Sequence, residues 1–376
     1  MKKRTVVCLA IVVLVGLLAF LVFHPEEKKE KLVVEENNTQ NDLTIGILFH
    51  GLDMLGESVF AYADYIEQHF NVKFEFATFE QGLDPMVMVQ HLLDANVDAI
   101  INVSTGSLPE LVELCEANKV YLLQIWDTPY DTDILEKYIG SSYYLGQIML
   151  NERQASYQLA EALLNHGCES IAVISQPDTW SWVRVHKVRA DHLIDFIKRT
   201  NKQALSIDIS LRNNSPVIET LAQQGRNLDG LVTTENNFHR PLEEIQDILG
   251  NDDIKLAHFD LTPESRDNFM KGNLVAASCG HHNIVGLAFS YLYYLSTIDW
   301  QYEKKLDLMC DYLILRSVED YDFYMETCVE TMPYSAEQLD ELIESLHNGT
   351  ELLEFYCNNY SLDQLRETKR LKALKK

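Results

Sequence analysis

From Leu43 onward the chain alternates between two hydrophobic patterns. Short apolar runs of strand length separate longer amphipathic segments. The runs are LTIGILF (43–49), VKFEFATF (72–79), VDAIINV (97–103), VYLLQIW (120–126), SIAVIS (170–175), ALSIDISL (204–211), LDGLVTT (228–234) and IKLAHF (254–259). Between them, SVFAYADYIEQHF (58–70), PMVMVQHLLDAN (85–96), SLPELVELCEANK (107–119) and ERQASYQLAEALLNHG (152–167) repeat apolar residues every three to four positions. That spacing marks helices with one buried face each. Alternating strands and helices predict parallel sheets covered by helices on both sides, an α/β fold. Ligands of such folds sit at the carboxyl ends of the strands, so the residues just after each strand are the ones to weigh.

The N-terminus breaks this pattern. Lys2, Lys3 and Arg4 precede an uncharged apolar run from Val6 to Phe23. Eighteen residues at helical rise span about 27 Å, enough to cross a hydrocarbon core. Cations before the run and Glu26 and Glu27 after it put the N-terminus in the cytoplasm and the rest outside. The expectation for residues 1–24 is an uncleaved membrane anchor. A cleaved signal peptide is the alternative, and it lacks the usual small residues at a cleavage point. Both export the chain. Residues 25–42 are charged and polar, with little to bury, and read as a flexible linker.

Composition narrows the partners. With 31 Lys plus Arg against 57 Asp plus Glu, the formal charge is −26, which repels nucleic acid and anionic lipid. Six cysteines lie beyond the anchor, at 115, 168, 279, 310, 328 and 357, without metal-ligand spacing and too sparse for a disulfide scaffold. Most read as small buried hydrophobes, with some pairing open to an exported chain. No G-x-S-x-G elbow, P-loop, H-E-x-x-H or dinucleotide glycine triad occurs, so neither an enzyme nor a cofactor is expected.

Five segments in order resemble the type I periplasmic sugar-binding proteins, relatives of the ligand domain of lactose-repressor-like regulators. They are VDAIINVSTGSLPELVELCEANKVYLLQIWD, EKYIGSSYYLGQIMLNERQASYQLAEALLNHGCESIAVIS, LDGLVTTENNF, IKLAHFDLTPESRDNFMKGNLVAASCGHHNIVGLAF and DYLILRSVEDYDFY, together covering about residues 43–330. The resemblance implies two Rossmann-like lobes joined by a three-strand hinge, with a ligand cleft between them. Lobe one would combine 43–140 with 278–305, and lobe two 141–277 with 306–330. Residues 331–376 extend beyond the usual end. Ser335 with Gln338 and Ser361 with Gln364 suggest two capped helices, with Gly349 stopping the first. The tail is expected to pack over a lobe, with a docking surface for a membrane partner as the alternative.

Pocket candidates follow from chemistry and from the resemblance. A carboxylate at a strand end accepts hydroxyl donors in strong charge-assisted bonds, which suits Asp127 after VYLLQIW and Asp260 after IKLAHF. Phe49, Trp126, Trp180, Trp182 and Phe259 would cover the apolar faces of a sugar, with His50 beside Phe49. Asn102 and Ser104 end another strand and offer polar contacts. The resemblance gives a ligand-contacting role to Arg189, with Arg184 as the competing equivalent. Each has a bland counterpart: an Asp past a strand is often a turn or cap residue, and Arg189 would otherwise form a surface pair with Asp191 or Asp195. His281 and His282 are adjacent, so in extended chain they point apart and do not share a metal ion; at most one faces the ligand.

Departures from the family are informative. Ser141 and Ser142 stand where it has an Asn-Asp pair near the crossover, Glu235-Asn236 replaces the second-lobe Asn-Asp, and Gly280 falls at a usual Gln. Glu235 adds negative charge and would favour an amino sugar, a polyol or another cationic ligand. The expected function is an extracytoplasmic solute-binding protein that closes on a small polar ligand and delivers it to an ABC-type importer. The alternative is a ligand-sensing accessory to a membrane histidine kinase.

Overall fold

The structure is a computed structural model. It describes residues 43–50, 54–79, 85–103, 108–126, 138–175, 184–200, 202–208, 217–223, 227–235 and 241–374. The expected anchor and linker lie outside the described residues, among which no helix is long and apolar enough to cross a membrane.

Two six-stranded sheets form two lobes. The first contains β1 (Leu43–His50), β2 (Val72–Phe79), β3 (Ala99–Asn102), β4 (Tyr121–Trp126), β5 (Tyr144–Leu150) and β11 (Leu306–Cys310), in the order β11-β5-β4-β3-β1-β2. Every pairing in it is parallel. The second contains β6 (Ser170–Ser175), β7 (Gln203–Asp208), β8 (Gly230–Thr233), β9 (Lys255–Phe259), β10 (Leu274–Cys279) and β12 (Leu313–Leu315), in the order β12-β10-β9-β8-β6-β7. Only β12 runs antiparallel there, against β10. The central strands β3, β8 and β10 are buried along their whole length, as parallel strands covered on both faces must be. Edge strand β11 instead alternates buried and exposed positions. In each sheet the chain reverses direction beside its first strand, between β1 and β3 and between β6 and β8, and crevices for ligands open at such points.

Helices fill the connections. They are α1 (Met54–Glu67), α2 (Pro85–Asp94), α3 (Leu108–Asn118), α4 (Glu152–Asn165), α5 (Arg184–Arg199), α6 (Val217–Gln223), α7 (Leu242–Leu249), α8 (Ser265–Met270), α9 (Asn283–Thr297) and α10 (Val318–Tyr324). Helix α9 returns to pack on α1 and β4 of the first lobe.

The chain crosses between sheets at residue 151, at 280 and at 311–312, because β5 and β11 belong to the first sheet and β10 to the second. Of the lobe limits implied by the resemblance, 140/141 and 305/306 fall before β5 and β11, and 277/278 falls within β10, two residues short of its end. The cause in β5 is a bulge. Leu122 pairs with Tyr144 and Leu123 with Gly146, so one extra residue interrupts the period-two pattern by which a strand is read. Gly146 has φ +111, and a Cβ there would collide with the Leu306 backbone of β11, so only glycine fits.

The tail forms three helices rather than two: α11 (Ala336–Ser345), α12 (Glu351–Asn358) and α13 (Leu362–Leu374). The Ser335–Gln338 capping box is present, and Ser361 Oγ accepts from Gln364 N at 3.2 Å. After Gly349 the apolar run around Leu353 and Cys357 is long enough for a buried helix of its own. Helix α11 packs on α9, and a Cys310–Cys357 disulfide ties α12 to the end of β11. The other described cysteines, 115, 168, 279 and 328, are free and buried. Tyr360 donates its hydroxyl to the Gly280 carbonyl at 3.0 Å, and Asp311 N donates to the Cys357 carbonyl at 3.2 Å. The tail thus grips the second and third crossovers.

Candidate functional site

The carboxyl ends of both sheets meet at the crossovers. On the first sheet, Phe49 is almost fully buried, with its ring edge-on to Trp126 at 5.5 Å. Trp126 ends β4 in the left-handed region, φ +69, and its indole N–H donates to the His281 carbonyl at 3.0 Å. Asn102 is buried too, its amide donating to Gln124 Oε1 at 2.5 Å. These residues form the packed floor of the site on this side.

On the second sheet, Asp260 follows β9 with φ +61, a conformation that Asp tolerates better than most residues. Its carbonyl accepts from His258 Nδ1 at 2.7 Å, which fixes that histidine's tautomer because a carbonyl only accepts. Burial lowers the pKa of His258 to about 4, so it stays neutral near neutrality. The Asp260 carboxylate lies 3.5 Å from His281 Nε2, and the His281 ring also meets Trp126 at 4.7 Å and Tyr312 at 5.3 Å. His282 turns elsewhere: its Nε2 donates to the Cys328 carbonyl at 2.9 Å, and burial lowers its pKa to about 4. Among the described residues no group of three metal-ligating side chains converges.

A cavity of about 260 Å³ lies between the lobes here. Its lining combines Glu57, Ser58 and Ala61 from the first turns of α1, Asp260 and Leu261 after β9, Cys279, Gly280 and His281 at the crossover, and Tyr324, Met325 and Val329 beyond β12. Two acidic residues and a single histidine thus line the space, a setting for hydroxyl or ammonium donors. Sequence reading missed Glu57 and Ser58. The signal was their position in the first helix after β1, at a strand's carboxyl end.

Arg189 is not in the surface pair offered as its alternative role. It is 7% exposed and makes a bidentate pair with Glu152, at 2.7 and 3.2 Å. It also donates to the Thr234 carbonyl at 3.0 Å and to the Tyr312 hydroxyl at 2.9 Å, and lies 4.1 Å over the Phe259 ring. Burial is the largest influence and works against its charge, but Glu152, Tyr312 and Asp260 together outweigh it and hold the guanidinium well above its ordinary pKa. The surface partners considered for it are engaged elsewhere, Asp191 with Lys187 and Asp195 with Arg199. Glu152 opens α4 just past the first crossover, and Tyr312 stands in the third. Arg189 therefore fastens both crossovers to α5 of the second lobe.

Phe259 is fully buried under that guanidinium, and Glu235 is half-buried just past β8. Ser141 and Ser142 lie at the opposite end of β5 from the crossover, which begins instead at Asn151 and Glu152. Asp127, Trp180, Trp182, Asn236 and Ser104 lie outside the described residues, as do the side chains of His50 and Arg184.

No family model and no curated protein matches the sequence. Solved structures do match the fold. An ABC transporter solute-binding protein from Bacillus halodurans C-125 with bound myo-inositol aligns at TM-score 0.58 and 17% identity, over 75% of this chain and 98% of that one. The fold is that of the type I periplasmic sugar-binding proteins. The arabinose-transporter binding protein from Shewanella sp. ANA-3, bound to arabinofuranose, aligns at TM-score 0.56 and 16% identity, over 79% and 98% of the two chains. A LacI-family sugar-binding regulator from Escherichia coli, complexed with phosphate, aligns at 0.54 and 13%, over 74% and 97%. Transporter binding proteins and a LacI-family regulator thus align with this two-lobed fold.

Proposed function

We propose that the protein is an extracytoplasmic solute-binding protein, tethered by its N-terminal segment, that captures a small sugar-like ligand by lobe closure. The observation that carries this reading is the cavity lined from both lobes, by Glu57 of the first and Asp260 of the second. Neither lobe supplies the whole set of polar groups, so a ligand that bridges them prefers the closed state and shifts the equilibrium by its differential affinity. Two acidic residues in the lining favour a polyol or an amino sugar over an acidic sugar. Asp127, Glu235 and Asn236 would extend this lining, and the aromatic pair Trp180 and Trp182 would cover a ring face. Delivery to an ABC-type importer fits the solute-binding neighbours. Reporting to a membrane histidine kinase is the second reading, favoured by the tail that grips two crossovers, where lobe rotation would be felt outside the cleft.

A thermal-shift screen of polyols, sugars and amino sugars tests the reading, since a hundredfold excess over the dissociation constant stabilises by about 2.7 kcal/mol. The ligand found should shrink the radius of gyration in solution scattering. Asp260→Ala should weaken its binding by about 2–4 kcal/mol, the range for a buried charge-assisted bond. A proven ligand that binds Asp260→Ala as tightly as wild type, without change in radius, refutes closure on this cavity.

A further inference from the structure

The tail encloses a second cavity, of about 480 Å³, apart from the cleft. Its walls are a π-helical turn (Met325–Glu330) that continues α10, the loop leading to α11, and residues of α12 and α13. At about 30 Å³ for each water-sized group, it has room for a ligand of roughly fifteen heavy atoms. Tyr334 and Tyr360 are buried and close its floor. Met332 and Tyr356 are half-buried and Phe355 is 46% exposed, so these three offer accessible surface in the lining. The rings meet edge to face, Tyr356 against Tyr334 at 4.9 Å and 62° and against Phe355 at 6.2 Å and 70°.

The polar side chains of the lining are committed locally. Ser335 and Gln338 form the capping box of α11, Asn359 donates to the Phe355 carbonyl at 2.9 Å, and Thr368 donates to the Gln364 carbonyl at 2.9 Å. Lys369 pairs with Glu326 at 2.7 Å, so the two opposite charges of the lining balance. What the cavity presents is ring surface. Its backbone is also irregular in two adjacent places. The π-helical turn is a form frequent at functional sites, and its Glu326 and Thr327 carbonyls share the Thr331 hydroxyl at 2.9 and 3.0 Å. Met332 then takes φ +65, an uncommon conformation for a residue with a side chain, and such strain collects at ligand clamps. Met325 and Val329 of the same turn line the cleft cavity, so one turn walls both spaces.

We propose that the tail cavity is a binding site for an uncharged aromatic small molecule, separate from the cleft and independent of what the cleft binds. A planar ring extends the edge-to-face set of Tyr334, Tyr356 and Phe355, where aromatic pairs gain beyond the area they bury. A saccharide needs polar partners for its hydroxyls, and those of the lining are engaged. A protein partner fits less well. A stable interface buries about 800 Å² on each side, whereas the apolar surface here is recessed, and Phe355 is the one large apolar side chain of the lining that stands exposed.

Calorimetric titration of the full chain with 2-naphthol and 4-phenylphenol, against octan-1-ol and myo-inositol, tests this. At least one aromatic probe should bind at one site per chain, at least fivefold more tightly than octan-1-ol, and myo-inositol should not compete with it. Phe355→Ala, at an exposed position, should weaken that binding by roughly fivefold, as loss of one aromatic contact does. Thr368→Trp gives up a hydroxyl that bonds only within its own helix and fills the space, so it should abolish binding. Urea midpoints at the wild-type value confirm that both variants fold. Hydrogen exchange at amides 326–332 should slow when the probe is bound. Failure of both aromatic probes to bind, octan-1-ol or myo-inositol binding as tightly, unchanged exchange at 326–332, or wild-type affinity in both variants overturns the proposal.

Discussion

Replacing Arg189 by Met separates a ligand contact from a structural anchor. In the structure its donors reach Glu152, Tyr312 and the Thr234 carbonyl, and both ionic side chains are about 8% exposed. Removing the guanidinium leaves the Glu152 carboxylate buried beside a tyrosine hydroxyl, its only remaining partner in that network. Truncating one member of a buried pair costs about 3–5 kcal/mol, because the other charge stays desolvated. For a body of this size that is about 6–10 °C in melting temperature, at roughly 2 °C per kcal/mol. The assay is urea unfolding of residues 40–376 without ligand. The double variant Arg189→Met with Glu152→Leu should recover most of the loss, since replacing a whole buried pair by apolar groups is often near neutral. If Arg189→Met unfolds at the wild-type midpoint and only ligand affinity falls, the inward pairing is not what Arg189 does, and the role implied by family resemblance stands instead.

Other perturbations follow from the same contacts. Cys357→Ser opens a loop of 47 residues between the disulfide partners and should cost about 4 kcal/mol in the chain-entropy estimate; a reducing agent should shift the wild-type urea midpoint by the same amount and leave the variant's unchanged. His258 and His282 have folded pKa values of about 4, below their unfolded values, so as pH falls from 6.5 towards 4 the unfolded chain takes up protons that the folded one refuses. Stability should therefore be full above pH 6.5 and decline below it, by on the order of 3 kcal/mol per histidine at pH 4. His258→Gln should flatten the slope of denaturation midpoint against pH, and an unchanged slope counts against the buried neutral imidazole. The chain should sediment with membranes and retain residues 1–23 on N-terminal sequencing; a soluble form starting near His24 refutes the anchor.

Much of the fold was legible because parallel sheets covered on both faces leave long apolar runs. Ile100, Ile101, Leu122, Leu123, Val173 and Ala257 are all completely buried, and each sits in a segment that reads as strand from its composition alone. Where legibility failed, a local irregularity was responsible. Tyr144–Leu150 carries a glycine and an extra residue, so its inward and outward positions do not alternate. Strand β11 is an edge with Asp307 and Met309 turned outward, and so reads as half polar. These were the two strands that moved the crossovers about ten and five residues past the expected lobe limits. The third tail helix was hidden for a related reason: Gly349 marks a stop, but nothing in sequence says that Cys357 buries against Cys310.

The site was legible by position and illegible by partner. Of the residues after strands, Asp260 and Trp126 come together around His281, yet which polar group is left for a ligand depends on what satisfies it first within the protein. Arg189 shows the difficulty. Its acidic neighbours in sequence, Asp191 and Asp195, lie two and six residues on along the same helix, off the three- and four-residue spacing at which helix side chains pair. Its actual partner, Glu152, is 37 residues distant, and its second, Tyr312, is 123. A carboxylate at a helix start and a tyrosine between two short strands carry no local mark of that pairing. The same holds at the far end of the first sheet, where Ser141 and Ser142 suggested a cleft by analogy but lie beside Lys305. A residue's place on a strand end is local information that periodicity conveys. The identity of its hydrogen-bond partner is non-local and enters only when the chain has folded, so charge-bearing residues shared between crossovers are where sequence reading stops first.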